Sequence, residues 1–350
     1  MEINISLLKK ICETPGTSGF ENRIRALIKK EVEPLVDECR IDTMGNLIAI
    51  KKAKKANSKK LMLAAHMDEI GFITNYIDKD GFIRFNTIGG FDPKTLTAQR
   101  VIVHGKKDLI GIMGCKPIHM MSAEETKKLP EIKDYFIDLG MSKEEVEKYV
   151  SIGDPITRER NLIELGDCIS SKSMDNRISV FILIETLRLL KEVPYDLYAV
   201  FTVQEEVGIR GAHLATHEIN PEFGIAIDVT IAYDTPGAQE QEKIIKLGQG
   251  VAIKIMDKCT ICDYRMISYL KSIAKNNNIP YQLDVRNVGG TDAEALQLMG
   301  KSGAITGAIS IPTRYIHQVV ETIHKSDLSN TIALTKQAIE NIANYSWEHI

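Results

Sequence analysis

The stretch Leu61-Met62-Leu63-Ala64-Ala65-His66-Met67-Asp68 holds an unbroken apolar run that ends on a histidine and an aspartate. Half-exposed strands alternate apolar and polar residues, whereas strands covered on both faces read as continuous apolar runs. The run predicts a buried strand inside a sheet with helices on both sides. Residues two apart on a strand share a face, so His66 and Asp68 leave the strand end in the same direction. A metal-bound imidazole usually hands its other N–H to a carboxylate, and Asp68 is spaced for that. Taken alone, H-x-D also reads as a polar strand end leaving the core.

Working outward, residues 46–50 form a second apolar strand upstream. Before it come a short helix, a Pro15-Gly16 break, and Ser18-Gly19-Phe20-Glu21, which has the spacing of a capping box. Ile24, Leu27, Ile28 and Val32 follow at helical period. Downstream, strands at 197–203, 223–227 and 304–311 alternate with helices at 178–190, 264–274 and 293–299. This alternation predicts an α/β fold: a mixed, mostly parallel sheet sandwiched by helices.

The segment 69–165 breaks that rhythm. Alternating runs at 73–77 and 82–85 flank Asp78-Lys79-Asp80-Gly81, the mark of a hairpin. A second hairpin is expected from 101–103 and 109–113 around a turn at 104–108, and the charged stretch 122–150 reads as helical in part. The expected organisation is therefore an α/β domain in two parts, 1–68 and 166–350, with a β-rich, barrel-like domain inserted at 69–165.

Composition narrows the function. Across 350 residues, 44% hydrophobic and 26% charged with a net charge of −3, there is no basic excess for a nucleic-acid surface. The lysine-rich run at 51–60 reads as an exposed turn. No stretch reaches the roughly 18 to 20 apolar residues of a membrane span. Leu7-Leu8 run into Lys9-Lys10, without the apolar core of a signal peptide. The six cysteines are scattered, and Cys259-x-x-Cys262 has no second Cys or His pair at zinc-ligand spacing. Free thiols in a reducing cytoplasm are expected.

Four further stretches put acids or histidines at element ends. Thr202-Val203-Gln204-Glu205-Glu206-Val207-Gly208 carries two adjacent carboxylates off a strand. Both can serve one site only if the backbone bends, for which Gly208 and Gly211 offer freedom. Met174-Asp175-Asn176-Arg177 precedes an apolar helix, where Asp175 could also be a simple cap. Ile225-Ala226-Ile227-Asp228 ends a strand, and Arg314-Tyr315-Ile316-His317 follows another. Singly, each has a bland structural role. Together they offer five oxygen or nitrogen ligands beyond strand ends, suited to two cations about 3.5 to 4 Å apart. Asp175 would bridge, with His66 and Asp228 on one ion and Glu206 and His317 on the other.

The chain also resembles the M42 family of metallo-aminopeptidases. The matching stretches are AAHMDEIGF at 64–72, SMDNR at 173–177, TVQEEVGIRGA at 202–212, AIDVT at 226–230, VGGTDA at 288–293 and RYIH at 314–317. The resemblance implies His66, Asp175, Glu206, Asp228 and His317 as ligands of two zinc or cobalt ions. It implies Glu205 as general base toward a water between them, and Asp68 as the support of His66. Gly289, Gly290 and Thr291 are expected to line the pocket, although a tight turn at a helix start would also account for them. Peptides with a free amino terminus are the implied substrates, and the inserted domain is implied to pair subunits into dimers that build a dodecamer. One departure stands out: His317 is followed by Gln318-Val319, where the family carries a small hydroxyl residue and a proline. Less rigid presentation of His317 is the expected consequence. Competing readings are a deacylase or carboxypeptidase on a related scaffold, a glycoside hydrolase, and an assembly protein with a vestigial site. Glycoside hydrolysis ordinarily needs two carboxylates and no metal pair.

Overall fold

The structure, a computed structural model, describes residues 3–349. Helices α1 (Ile5–Glu13) and α2 (Asn22–Val32) lead into strands β1 (Glu38–Ile41), β2 (Leu47–Lys51) and β3 (Lys60–His66). The chain then leaves for a separate layer: β4 (Gly71–Ile77), β5 (Ile83–Ile88), β6 (Arg100–His104), β7 (Asp108–Gly114), β8 (Phe136–Asp138), helix α3 (Lys143–Tyr149) and β9 (Pro155–Arg158). It returns with β10 (Ile163–Leu165), β11 (Cys168–Ser171), α4 (Met174–Leu189), β12 (Asp196–Thr202), α5 (Arg210–Ile219) and β13 (Phe223–Ile231). Strands β14 (Val251–Met256), β15 (Tyr281–Val285), β16 (Ile305–Arg314) and β17 (Glu321–His324) follow, with α6 (Tyr264–Asn276) and α7 (Ala293–Leu298) between them and α8 (Lys325–Asn341) at the end.

Eleven strands make one sheet in the order β1-β2-β12-β3-β13-β16-β17-β11-β10, with β14 branching from β16 and carrying β15. Its centre, β12-β3-β13-β16, is parallel, and antiparallel pairs flank it. The apolar runs are unbroken because alternate residues feed different cores. Leu61, Leu63 and Ala65 join the large core with residues of α1, α4 and α8, while Met62 and Ala64 pack with Ala215, Ile219 and Leu296 of α5 and α7. Period two then sends His66 to the α5/α7 face, where Asp228 also belongs by continuation from Ala226. In register, Thr202 lies beside His66 and Ala226 beside Ala64, which sets Asp228 level with His66. Asp228 does not end its strand as expected, because β13 runs on to Ile231.

The excursion between β3 and β10 closes into a barrel, β4-β5-β8-β7-β6-β9, with β9 returning to β4. Phe72, Ile83, Val101, Val103, Ile137 and Ile156 fill its interior. Both expected hairpins are present. In the first turn, Asp78 Oδ1 accepts from the Asp80 and Phe82 N–H groups, and Gly81 takes φ +92° against the Met141 carbonyl, a position only glycine fills without strain. The charged stretch 122–150 contributes α3 as expected, plus the short strand β8.

One local expectation fails. Ser18 and Glu21 form no capping box: α2 begins at Asn22, and its preceding Glu21 makes no side-chain cap bond. The Ser18 hydroxyl donates to Asp68 Oδ2 at 2.5 Å instead, and Glu21 Oε1 accepts from the N–H groups of Gly19 and Gln204. Asp68 and Gln204, fifty and more residues away, together with the neighbouring Gly19 N–H, outcompete the capping box.

Candidate metal centre

At the carboxyl ends of the parallel strands, His66, Asp175, Glu205, Glu206, Asp228 and His317 converge on a cleft of about 780 Å³. His66 Nε2 lies 3.2 Å from Asp175 Oδ1 and 3.8 Å from Asp228 Oδ1. His317 Nε2 lies 3.3 Å from Asp175 Oδ2 and 3.3 Å from Glu206 Oε2. These contacts define two ligand groups, His66-Asp175-Asp228 and Asp175-Glu206-His317, with Asp175 common to both. Glu205 belongs to neither and reaches within 3.9 Å of His66 Nε2. Gly289, Gly290 and Thr291 line the same cleft, beside Tyr233, Tyr315 and Lys254.

Local backbone explains how adjacent carboxylates serve one site. Strand β12 stops at Thr202, and Gln204 turns into the left-handed region at φ +55°. The bend therefore begins at Gln204, ahead of Gly208 (φ +119°), and Ile209 at φ +57° completes it. A β-branched residue at positive φ is costly and persists only where the surroundings dictate it. Here they do: Asp68 Oδ1 accepts the Glu205 N–H at 3.1 Å and Oδ2 the Glu206 N–H at 3.2 Å. Asn46 accepts the Val203 N–H and donates to the Gly211 carbonyl. Gly211 serves close approach: a Cβ there would sit 2.4 Å from the Val203 carbonyl oxygen.

Asp175 does not cap α4. It has extended ψ, and the regular helix begins after Asn176. The turn before it rests on a buried cluster in which Glu69 accepts from the Lys172 ammonium at 2.7 Å and from the Ser173 hydroxyl at 2.5 Å, with Arg177 at 3.4 Å. Burial would raise the Glu69 carboxyl, but Lys172 and Arg177 outweigh it and hold it low. The loop bearing His317 is tied down without a proline. Glu321 Oε1 accepts the His317 N–H at 2.9 Å, and Arg158 donates to the Gln318 carbonyl at 2.6 Å. Glu321, Ser18, Glu21 and Arg158 were not expected at the site. The only sequence signal for Glu321 is its position four residues past His317.

Electrostatically the cleft is prepared for positive charge. Burial, reinforced by Glu206, Asp228 and Asp292, pushes Glu205 well above the usual carboxylate range. Burial and the neighbouring Asp175 do the same to Asp228. Burial disfavours a charged His317, but Asp175 and Glu206 prevail and raise it to about 11. Crowded carboxylates that repel one another are relieved by cations. Glu206 Oε1 is also buried without a partner, while His66 turns Nδ1 toward Asp68 at 3.4 Å and leaves Nε2 to face the carboxylates. The donor set therefore fits divalent ions.

Comparison with known proteins agrees with this fold. The model of the M42 glutamyl aminopeptidase family matches residues 45–334. A putative aminopeptidase of Acetivibrio thermocellus is 42% identical over 95% of this chain and 97% of its own. An aminopeptidase structure from the archaeon Desulfurococcus kamchatkensis superposes with a TM-score of 0.92 at 42% identity, covering 96% of this chain and 94% of that one. The Pyrococcus horikoshii TET1 peptidase, which can assemble into a tetrahedron or a large octahedral shell, gives 0.86 at 34% identity, over 96% of this chain and 98% of that one. With a matching fold along nearly its whole length, the chain belongs to the M42 family of aminopeptidases.

Proposed function

We propose that the chain is a dinuclear metal aminopeptidase in which His66 and Asp228 hold one divalent cation, Glu206 and His317 hold a second, and Asp175 spans both. One observation carries this reading: the two Asp175 oxygens divide between the two histidines, at 3.2 and 3.3 Å. Imidazole with carboxylate suits zinc or cobalt. Such ions supply Lewis acidity toward a scissile carbonyl and make water more acidic.

The remaining steps belong to the chain's own side chains. Glu205 is the general base: it accepts the proton of the attacking water and returns it to the leaving amine. Asp68 keeps the His66 ring oriented and anchors the Glu205 loop by its N–H. Gly289, Gly290 and Thr291 border the space for the first substrate residue. The surrounding carboxylates favour a protonated α-amine, so peptides with a free amino terminus are the substrates. The barrel, counted from 69 to 165, pairs subunits into dimers that assemble into a dodecamer. Its exposed Ile110 and Ile112 on β7, together with the shell-forming TET1 relative, support that role. No described helix is long and apolar enough to cross a membrane, and the cysteines are free; a cytoplasmic enzyme is the matching reading.

The test compares a free-amine dipeptide with its N-acetylated counterpart, before and after zinc or cobalt is restored to chelated protein. Metal-dependent cleavage of the free amine alone is expected. Preference for the acetylated substrate would favour the deacylase reading.

A further inference from the structure

We propose that Glu321 is a positioning residue for the metal centre, joining the Asp175 and His317 backbones through one buried carboxylate, and that Arg158 of the barrel braces the same loop. The proposal rests on the two-metal reading and adds to it residues outside the ligand set.

The geometry is specific. Glu321 opens β17 and is 1% exposed. Its Oε2 accepts the Asp175 N–H at 2.9 Å and its Oε1 accepts the His317 N–H at 2.9 Å. The residue that would span both ions and one terminal ligand of the second are thus held by opposite oxygens of a single group. Their spacing is set by the width of a carboxylate. Both held residues adopt backbone that needs outside support, Asp175 extended inside a helical turn and His317 at φ +62°. Arg158, also 1% exposed, ends barrel strand β9 and donates to the Gln318 carbonyl at 2.6 Å. Phe91 lies under its guanidinium, 5.6 Å from carbon to ring centre. The barrel comes close here a second time: a Cβ on Gly90 would sit 3.4 Å from His317 Nδ1. Ligand geometry at the second ion is therefore braced from the barrel, which explains how His317 is fixed without a following proline.

Glutamine at 321 has one acceptor oxygen, and its amide N–H₂ would face the second backbone N–H, so one of the two bonds is lost with little change in volume. Outer-shell partners of metal ligands typically change affinity by about 10–100-fold. Zinc affinity of the metal-stripped protein, read by competition with a chromophoric chelator, is compared for wild type, Glu321→Gln, Arg158→Met and Arg158→Lys, together with the Tm of each metal-free form. Expected is a loss of about tenfold or more for the weaker of two ions in Glu321→Gln. A smaller loss is expected in Arg158→Met and recovery in Arg158→Lys, with metal-free Tm values close to wild type. Two zinc ions bound as tightly by Glu321→Gln and Arg158→Met as by wild type would overturn the proposal. If Glu321→Gln does not fold, the Arg158 pair decides: loss in Met with recovery in Lys supports it, and wild-type affinity in both overturns it. A wild type that binds fewer than two ions would instead remove the two-metal reading.

Discussion

Asp68 Oδ1 accepts the backbone N–H of Glu205 at 3.1 Å while lying 3.4 Å from His66 Nδ1. One buried carboxylate thus fixes both an imidazole that would hold metal and the loop that delivers the proposed base. Replacing Asp68 by Asn keeps the shape but turns one acceptor into a donor facing an N–H. Outer-shell changes of this kind cost about 10–100-fold in affinity or activity. The expected outcome is a fall in kcat/KM of that order with a weakened first ion, read by kinetics and metal analysis on one preparation.

Glu205 belongs to neither ligand group, so Glu205→Gln separates base from ligand. General base catalysis is worth about 10²–10⁴-fold. The variant is expected to retain its metals and lose turnover by that factor. Normal turnover in a metal-loaded Glu205→Gln protein would end the base assignment.

Gly211 answers a packing question. Any side chain there meets Val203 backbone and Asn46 Oδ1 at 2.3–2.7 Å, and the rigid strand end cannot yield. Overpacking costs about 1–3 kcal/mol. Gly211→Ala should lower stability to denaturant by that amount and also displace the Glu205 loop, reducing kcat.

A pH prediction comes from the contact between α2 and the barrel. Arg23 donates two hydrogen bonds to Asp108, opposed by burial and assisted by His104, and the Asp108 carboxyl is held down at about 2. Its folded value lies below its ordinary 3.8, so the stabilisation is present above that value and is lost as pH falls through about 2. Both side chains are nearly half exposed, which limits the contribution to below about 1 kcal/mol. Asp108→Asn should therefore show a small Tm deficit at pH 7 that closes between pH 4 and pH 2, and that shrinks with added salt. A deficit that widens as pH falls would contradict the pairing.

The central sheet was legible because its strands are covered on both faces, which leaves runs such as 61–65 and 223–227 without polar interruption. The hairpin around Asp78 was legible from turn chemistry that is wholly local. What failed did so where a local pattern met a distant partner. Ser18 and Glu21 fit a capping box, yet their side chains serve Asp68 and Gln204. The bend between Glu205 and its strand was sought at glycine, but Gln204 carries it because Asp68, Glu21 and Asn46 hold the surrounding N–H groups. Strand β8, three residues within a charged stretch, has too few side chains to print a period. Arg158 acts through a contact 160 residues distant, for which one sequence holds no sign, and Glu321 reaches Asp175 across 146 residues with only its place four residues past His317 to mark it.

The most direct test of the account is a calorimetric zinc titration of metal-stripped wild type and Asp175→Ala. Two equivalents per chain are expected for the wild type, and loss of tight binding at both sites in the variant, since both ligand groups share Asp175. A single equivalent in the wild type, or two tight equivalents surviving in Asp175→Ala, would contradict it.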